Sequence, residues 1–195
     1  EIDAADQDFY KRMGVPPPTF CWRCRMQRRF AWRNERKLYT STCSKTGRPI
    51  ITIFDPDQKL TVYDRDIWWA DDWSAKDFGE EVDWSKSFFQ QWRELFQRVP
   101  HPAVFNNTCT NSAYCNHIGH ANNCYLVFAT WIADNVSYGH QVIECRDSFD
   151  ISASSQSELV YNTIGGNHIY NSQFVQDCTQ TRDSQFLFDC RNVND

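Results

Sequence analysis

Asn or Asp recurs on one twelve-residue phase through the second half of the chain, at Asn111, Asn123, Asn135, Asp147, Asn171, Asp183 and Asp195, with Leu159 alone breaking the series. The next residue in the phase is small throughout: Ser112, Cys124, Val136, Ser148, Val160, Ser172 and Ser184. An aromatic follows each turn-former by two or three places, at Tyr114, Tyr125, Tyr138, Phe149, Tyr161, Phe174 and Phe186. Repetition at a fixed period means stacked units that share one continuous core, and twelve residues are too few for a helical-hairpin repeat. Taking each twelve-residue stretch as a half-coil gives a rung of about 24 residues. The expectation is a right-handed parallel β-helix over residues 107–195 whose equivalent side chains stack roughly 4.8 Å apart. On that register Tyr114, Tyr138 and Tyr161 share one ladder. Asn and Asp suit the corners because they tolerate left-handed backbone and hydrogen-bond to neighbouring rungs. A β-sandwich leaves the phase unexplained.

Residues 1–106 read as a separate module, a small zinc-ribbon-like sheet with short helices, so the whole chain is expected to be mainly β. Asp3 caps a helix whose stripe is Phe9, Tyr10 and Met13 and which Gly14 stops. Pro16-Pro17-Pro18 follows as an extended linker. The runs Pro49 to Phe54 and Leu60 to Tyr63, punctuated by Thr46-Gly47 and Asp55-Pro56-Asp57, predict a small sheet with hairpins. Ser87 and Gln90 resemble a capping box ahead of a helix carrying Phe88, Trp92, Leu95 and Phe96. Trp68, Trp69 and Trp73 are read as packing against it.

Charge is segregated. Residues 15–54 hold nine Lys or Arg against Glu35 alone, and residues 55–86 hold ten acids against four bases. Such asymmetry points to distinct surfaces, unless the two blocks neutralise each other. The basic segment Arg23, Arg25, Arg28, Arg29, Arg33, Arg36 and Lys37, interleaved with Trp22, Phe30 and Trp32, is the best candidate interface. Guanidinium forks match phosphate oxygens and aromatic rings stack on unpaired bases, so RNA or another polyanion is the expected partner.

Cys21-Trp22-Arg23-Cys24 has the spacing of a zinc knuckle, with Cys43 as third ligand and Asp64 or Asp66 to complete the shell. The remaining cysteines are read as compact buried hydrophobes, because nine thiols spread along the chain cannot all pair. His117 and His120 lack a completing donor. Phosphate-binding glycine loops, nucleophile elbows and zinc-protease helices are missing from the sequence, so an enzyme is not expected. No apolar run is long enough to span a membrane. The opening Glu1-Ile2-Asp3 suggests a fragment of a longer protein, and a cytoplasmic setting is favoured.

The run Gly14-Val15-Pro16, Cys21-x-x-Cys24-Arg25-x-x-Arg28-Arg29, Arg33-Asn34-Glu35-Arg36-x-Leu38-Tyr39, Cys43 and Thr46-Gly47 resembles an uncharacterised bacterial family found largely in uncultivated small-genome lineages. Val62-Tyr63, Trp68-Trp69-x-Asp71-x-Trp73, Asn123-Cys124-Tyr125-Leu126 and Phe188-Asp189-Cys190-Arg191 extend the likeness over nearly the whole chain. The resemblance implies a zinc-ribbon-type module followed by a cysteine-rich repeat. This sequence departs from it in carrying Asp64 and Ile67 where the family has cysteine, and Trp22 where it has proline. The resemblance is nearly silent on function, and the residues themselves give three expectations: a basic module binding RNA, a carbohydrate-binding or carbohydrate-active β-helix, and a structural subunit of a protein assembly.

Overall fold

The computed structural model describes residues 2–194 and divides into two compact units, Glu1–Asn34 and Glu35–Asp195. Asp195, the last member of the Asn/Asp series, lies outside the described residues.

The first unit is helical. Helix α1 (Ala4–Met13) starts at Asp3, whose carboxylate accepts the Asp6 N–H while Asp6 answers back, and stops at Gly14 with φ 65°. Helix α2 spans Trp22–Phe30, where a knuckle and sheet were expected. Its sequence explains the difference: from Trp22 to Phe30 there is no glycine, proline or β-branched residue, and Arg, Met and Gln lose little side-chain freedom in a helix.

The second unit begins with the hairpin β1 (Tyr39–Thr42) and β2 (Pro49–Thr52), turned at Gly47. Strand β3 (Val62–Tyr63) leads into α3 (Arg65–Trp68), and Ser87 caps α4 (Phe88–Arg98) through the Gln90 N–H. Strand β4 (His101–Pro102) then pairs in parallel with β3. Of the three tryptophans, Trp68 and Trp73 are half-buried and Trp69 is 64% exposed; Trp68 Nε1 donates to the Pro100 carbonyl at 2.9 Å and Trp73 Nε1 to the Trp68 carbonyl at 2.8 Å. Helix α4 presents Leu95 and Phe96 inward, whereas Phe88 and Phe89 stay largely exposed.

Residues 106–188 form a parallel β-solenoid of about seven turns. Its strands are β5 (Asn106–Thr110), β6 (Asn116–Asn122), the long bent β7 (Tyr125–Ser155), β8 (Glu158–Ile164), β9 (Asn167–Gln176), β10 (Thr179–Arg182) and β11 (Gln185–Phe188). The register corrects the half-coil expectation: Asn106 pairs with Ile118, Asn116 with Phe128, Arg146 with Glu158 and Gln173 with Gln185, so twelve residues close a full coil. The reason lies in a three-residue subperiod. Every third residue faces inward, as at Val127, Thr130, Ala133 and Val136, and every third is left-handed, as at Asn135, Tyr138, Gln141 and Glu144. Each coil therefore has four corners, and only one of them is the Asn/Asp column. The Tyr114 ladder changes accordingly: Tyr138 sits two coils away, and Tyr161 falls in the adjacent column, paired with Phe149. Tyr125 bridges Tyr114 and Tyr138 through edge contacts at 5.8 Å on both sides.

Within so narrow a coil the core takes small residues. Val127, Val136, Val142, Cys145, Ser148 and Ile151 are all inaccessible to solvent. Inward hydroxyls and thiols fasten coil to coil. Ser148 Oγ donates to the Arg146 carbonyl at 2.6 Å and accepts the Val160 N–H from the next coil at 3.2 Å. Ser157 and Ser172 receive the amides of Ile169 and Ser184 in the same way, and the sulfurs of Cys115 and Cys178 receive those of Val127 and Cys190. These buried polar atoms are thus satisfied. On the surface, Asn111 donates to Asn123, Asn135 to Asp147 and Asn171 to Asp183 at 2.7–2.8 Å, so the corner residues bond the next coil as expected, but to the partner twelve residues on rather than the one 24 on that a half-coil requires. The first coil is pinned by Asn116, whose Oδ1 accepts the Phe105 N–H at 3.0 Å and whose Nδ2 donates to the Glu35 carbonyl at 3.1 Å.

Ile151→Ala, which empties an inward position, is expected to cost about 2–5 kcal/mol, against no more than about 0.5 kcal/mol for the outward Gln185→Ala. Urea denaturation followed by circular dichroism checks the contrast.

Candidate nucleic-acid interface

The basic segment falls across the boundary between the two units. Arg23, Arg25, Arg28, Arg29, Trp32 and Arg33 belong to the first, and Arg36 and Lys37 to the second. Within the first unit, α2 exposes almost its whole circumference, with Arg25 the one half-buried position. Arg25 Nη1 donates to Tyr10 Oη at 3.2 Å, which fixes α2 to α1, while its buried Nε lacks a hydrogen-bond partner. Arg23 and Arg28 lie over the rings of Trp22 and Phe20 at 5.4 and 5.3 Å, cation–π contacts on a wet surface. Phe20, Trp22, Phe30 and Trp32 are 51–75% exposed, so aromatic surface reaches solvent beside the guanidinium groups. In the second unit the Lys37 ammonium sits over the Tyr39 ring at 4.7 Å.

Acids of the second block pair with cations of the second unit, one of them, Lys45, from the basic block. Asp66 pairs with Arg65, Asp72 with Lys45, Asp83 with Lys86 and Glu80 with Arg98, all inside the second unit. These pairs are exposed or half-exposed, so each contributes little to stability.

The expected metal ligands also separate into two pairs. Cys21 and Cys24 occupy the N-cap and third positions of α2, with their sulfurs 3.4 Å apart. The backbone N–H of Cys24 and then its thiol pull the Cys21 thiol below its ordinary value, and the Cys21 sulfur pushes Cys24 up in turn. In the second unit Cys43 is buried, and its sulfur accepts the Asp64 N–H at 3.3 Å. Burial raises the Cys43 thiol, but the Thr46 hydroxyl and the amides of Asp64, Thr46 and Lys45 outweigh it, holding the pKa below the ordinary value. The Asp64 carboxylate is engaged as the cap of α3, accepting the Asp66 N–H at 3.0 Å. Among the described residues no three His, Cys, Asp or Glu side chains converge as an ion site. Two thiolates supply half of a tetrahedral zinc shell, and the first unit holds no further Cys or His to complete it.

Sequence reasoning missed a third feature. One face of the solenoid carries a shallow groove of about 660 Å³, lined among others by His120, Asp134, Glu144, Arg146, Glu158 and His168. Asp134, Arg146 and Glu158 succeed one another at the same place in consecutive coils, and Gln156 donates to Glu144 at 3.2 Å one column away. A search for the column spacing of twelve in the charged residues finds them; the Asn/Asp phase does not.

No family model, curated protein or solved structure matches the chain.

The solenoid thiols contrast with Cys21. Burial pushes Cys115 from its ordinary 9.0 up to about 12, and raises Cys109, Cys124, Cys145 and Cys178 as well. Under native conditions iodoacetamide is expected to label Cys21 first and leave Cys115 untouched, as peptide mass mapping will register. A raised folded-state pKa contributes stability that is complete below pH 9 and lost as pH climbs towards 12, because only the unfolded chain ionises there. Thermal melts above about pH 9 should therefore fall, and Cys115→Ser should flatten the fall.

Proposed function

We propose that this protein binds single-stranded RNA through its N-terminal basic unit, and that the solenoid, its coils wound right-handed as parallel crossovers prefer, serves as a rigid scaffold rather than a catalyst. The observation that carries this reading is α2 itself. Arg23, Arg28 and Arg29 project from an exposed helix beside exposed Trp22, Phe30 and Trp32, and residues 15–34 contain no acid at all. Guanidinium groups supply phosphate contacts that release counterions, and flat rings offer stacking platforms for unpaired bases. A helix lying in a duplex groove has less use for so many exposed rings, which favours single strands.

The role assigned to each residue follows from its surroundings. Arg28 and Arg29 stand in the last turn of α2 and contact the backbone phosphates. Trp22 and Trp32 stack on bases. Arg25, tied to Tyr10, holds the helix in place and contributes charge without leading the contact. Arg33, Arg36 and Lys37 extend the basic track beyond the helix.

Arg28→Ala/Arg29→Ala is expected to weaken binding of a short single-stranded RNA by at least about tenfold at low salt and to reduce the slope of log K against log salt by roughly 1–1.5. Fluorescence anisotropy across a salt series reads both. Affinity that ignores salt, or a double variant that binds like the parent, sinks the proposal.

A further inference from the structure

The pair Cys21 and Cys24 carries a second chemistry that the RNA reading does not use. Both side chains are exposed, and their sulfurs stand 3.4 Å apart on the first turn of a nine-residue helix. A disulfide bond is about 2.05 Å long, so the two sulfurs already stand close to bonding distance. No other thiol belongs to the first unit, whereas the remaining seven lie in the second, five of them buried. Each sulfur of the pair therefore has one resolving partner within its unit.

We infer that Cys21 and Cys24 form a thiol–disulfide exchange site for small anionic disulfides, with Cys21 as the attacking sulfur and Cys24 as the resolving one. Position assigns the roles. Cys21 is the N-cap, where the positive end of the helix favours a thiolate, and Cys24 lies one turn in on the same face. Charge assigns the substrate class. Arg23, Arg25 and Arg28 surround the pair in sequence and no acid lies nearby in the segment, so an anionic disulfide is drawn in and a cationic one repelled.

The step balances without a further reagent. The Cys21 thiolate attacks one sulfur of the substrate disulfide, the substrate S–S bond breaks, and the first substrate thiolate leaves. Cys24 gives up its proton, and its sulfur attacks the sulfur of Cys21. The Cys21–Cys24 bond forms and the second substrate thiolate leaves. The protons released by the two cysteines end on the two substrate thiols. The dithiol has lost two electrons and the substrate disulfide has gained them.

The test uses the full chain in mixtures of reduced and oxidised glutathione, quenched with acid and mapped by mass spectrometry. A Cys21–Cys24 disulfide should appear in a single transition as the mixture becomes more oxidising, while the solenoid thiols stay reduced. Cys24→Ser should accumulate a glutathione adduct on Cys21, and in Cys21→Ser the adduct on Cys24 should form at least about tenfold more slowly than that. Added salt should slow the parent as well. The inference is overturned if both sulfurs remain thiols across the series, if Cys24→Ser gathers no adduct, or if added zinc binds the pair so tightly that glutathione cannot oxidise it. Both substitutions are at exposed positions, so loss of folding does not confuse the result.

Discussion

The second half of this molecule depends on one interaction: an inward hydroxyl or thiol that bonds the carbonyl two residues behind it and the amide twelve residues ahead. Ser148, bonded to Arg146 and Val160, shows the arrangement in full. It meets the requirement that a buried polar group be paired, and it ties each coil to the next by a link independent of the strand ladder. It also limits size. A coil closed by four three-residue sides leaves room for side chains no larger than isoleucine or leucine at each inward place, and among the described residues no aromatic is buried there. The rings are consequently outside, where Tyr114, Tyr125 and Tyr138, and then Tyr161, Phe174 and Phe186, line the surface in contact with one another.

The sequence shows this architecture unevenly. The twelve-residue phase was legible because Asn and Asp mark one corner and stack by side-chain hydrogen bonds. The number of residues in a coil was not, because a period alone does not say whether one unit closes a turn or half of one. The other three corners hold residues such as Tyr138, Leu126 and Ile132 with φ of 52–58°, types that rarely take left-handed backbone and so give no turn signal. Their strain, of order 1 kcal/mol or more per position, is offset by the ladders on either side. The inward column of small residues was the better clue to the three-residue subperiod.

At the N-terminal unit the motif and the helix tendency compete. Cys-x-x-Cys suggested a turn between sheet strands, yet Trp22–Phe30 has helix-forming composition, and the cysteines end up at the start of α2. The basic residues were readable from composition alone. Their exposure was not, nor was the division that separates Arg33 from Arg36 and the first thiol pair from Cys43. The groove with Asp134, Arg146 and Glu158 escaped notice because its residues share a column and not a motif.

The left-handed residue at every third position has a consequence for how such a chain tolerates change in length. Removing twelve residues deletes one storey and leaves those above and below in register. Removing three turns everything downstream by a quarter revolution, keeping the inside inside but bringing a different wall of the tower to face each partner. Removing one or two exchanges interior for exterior along the entire remainder. Divergence in length is therefore quantised, and the smallest permitted step rotates a surface without unfolding it.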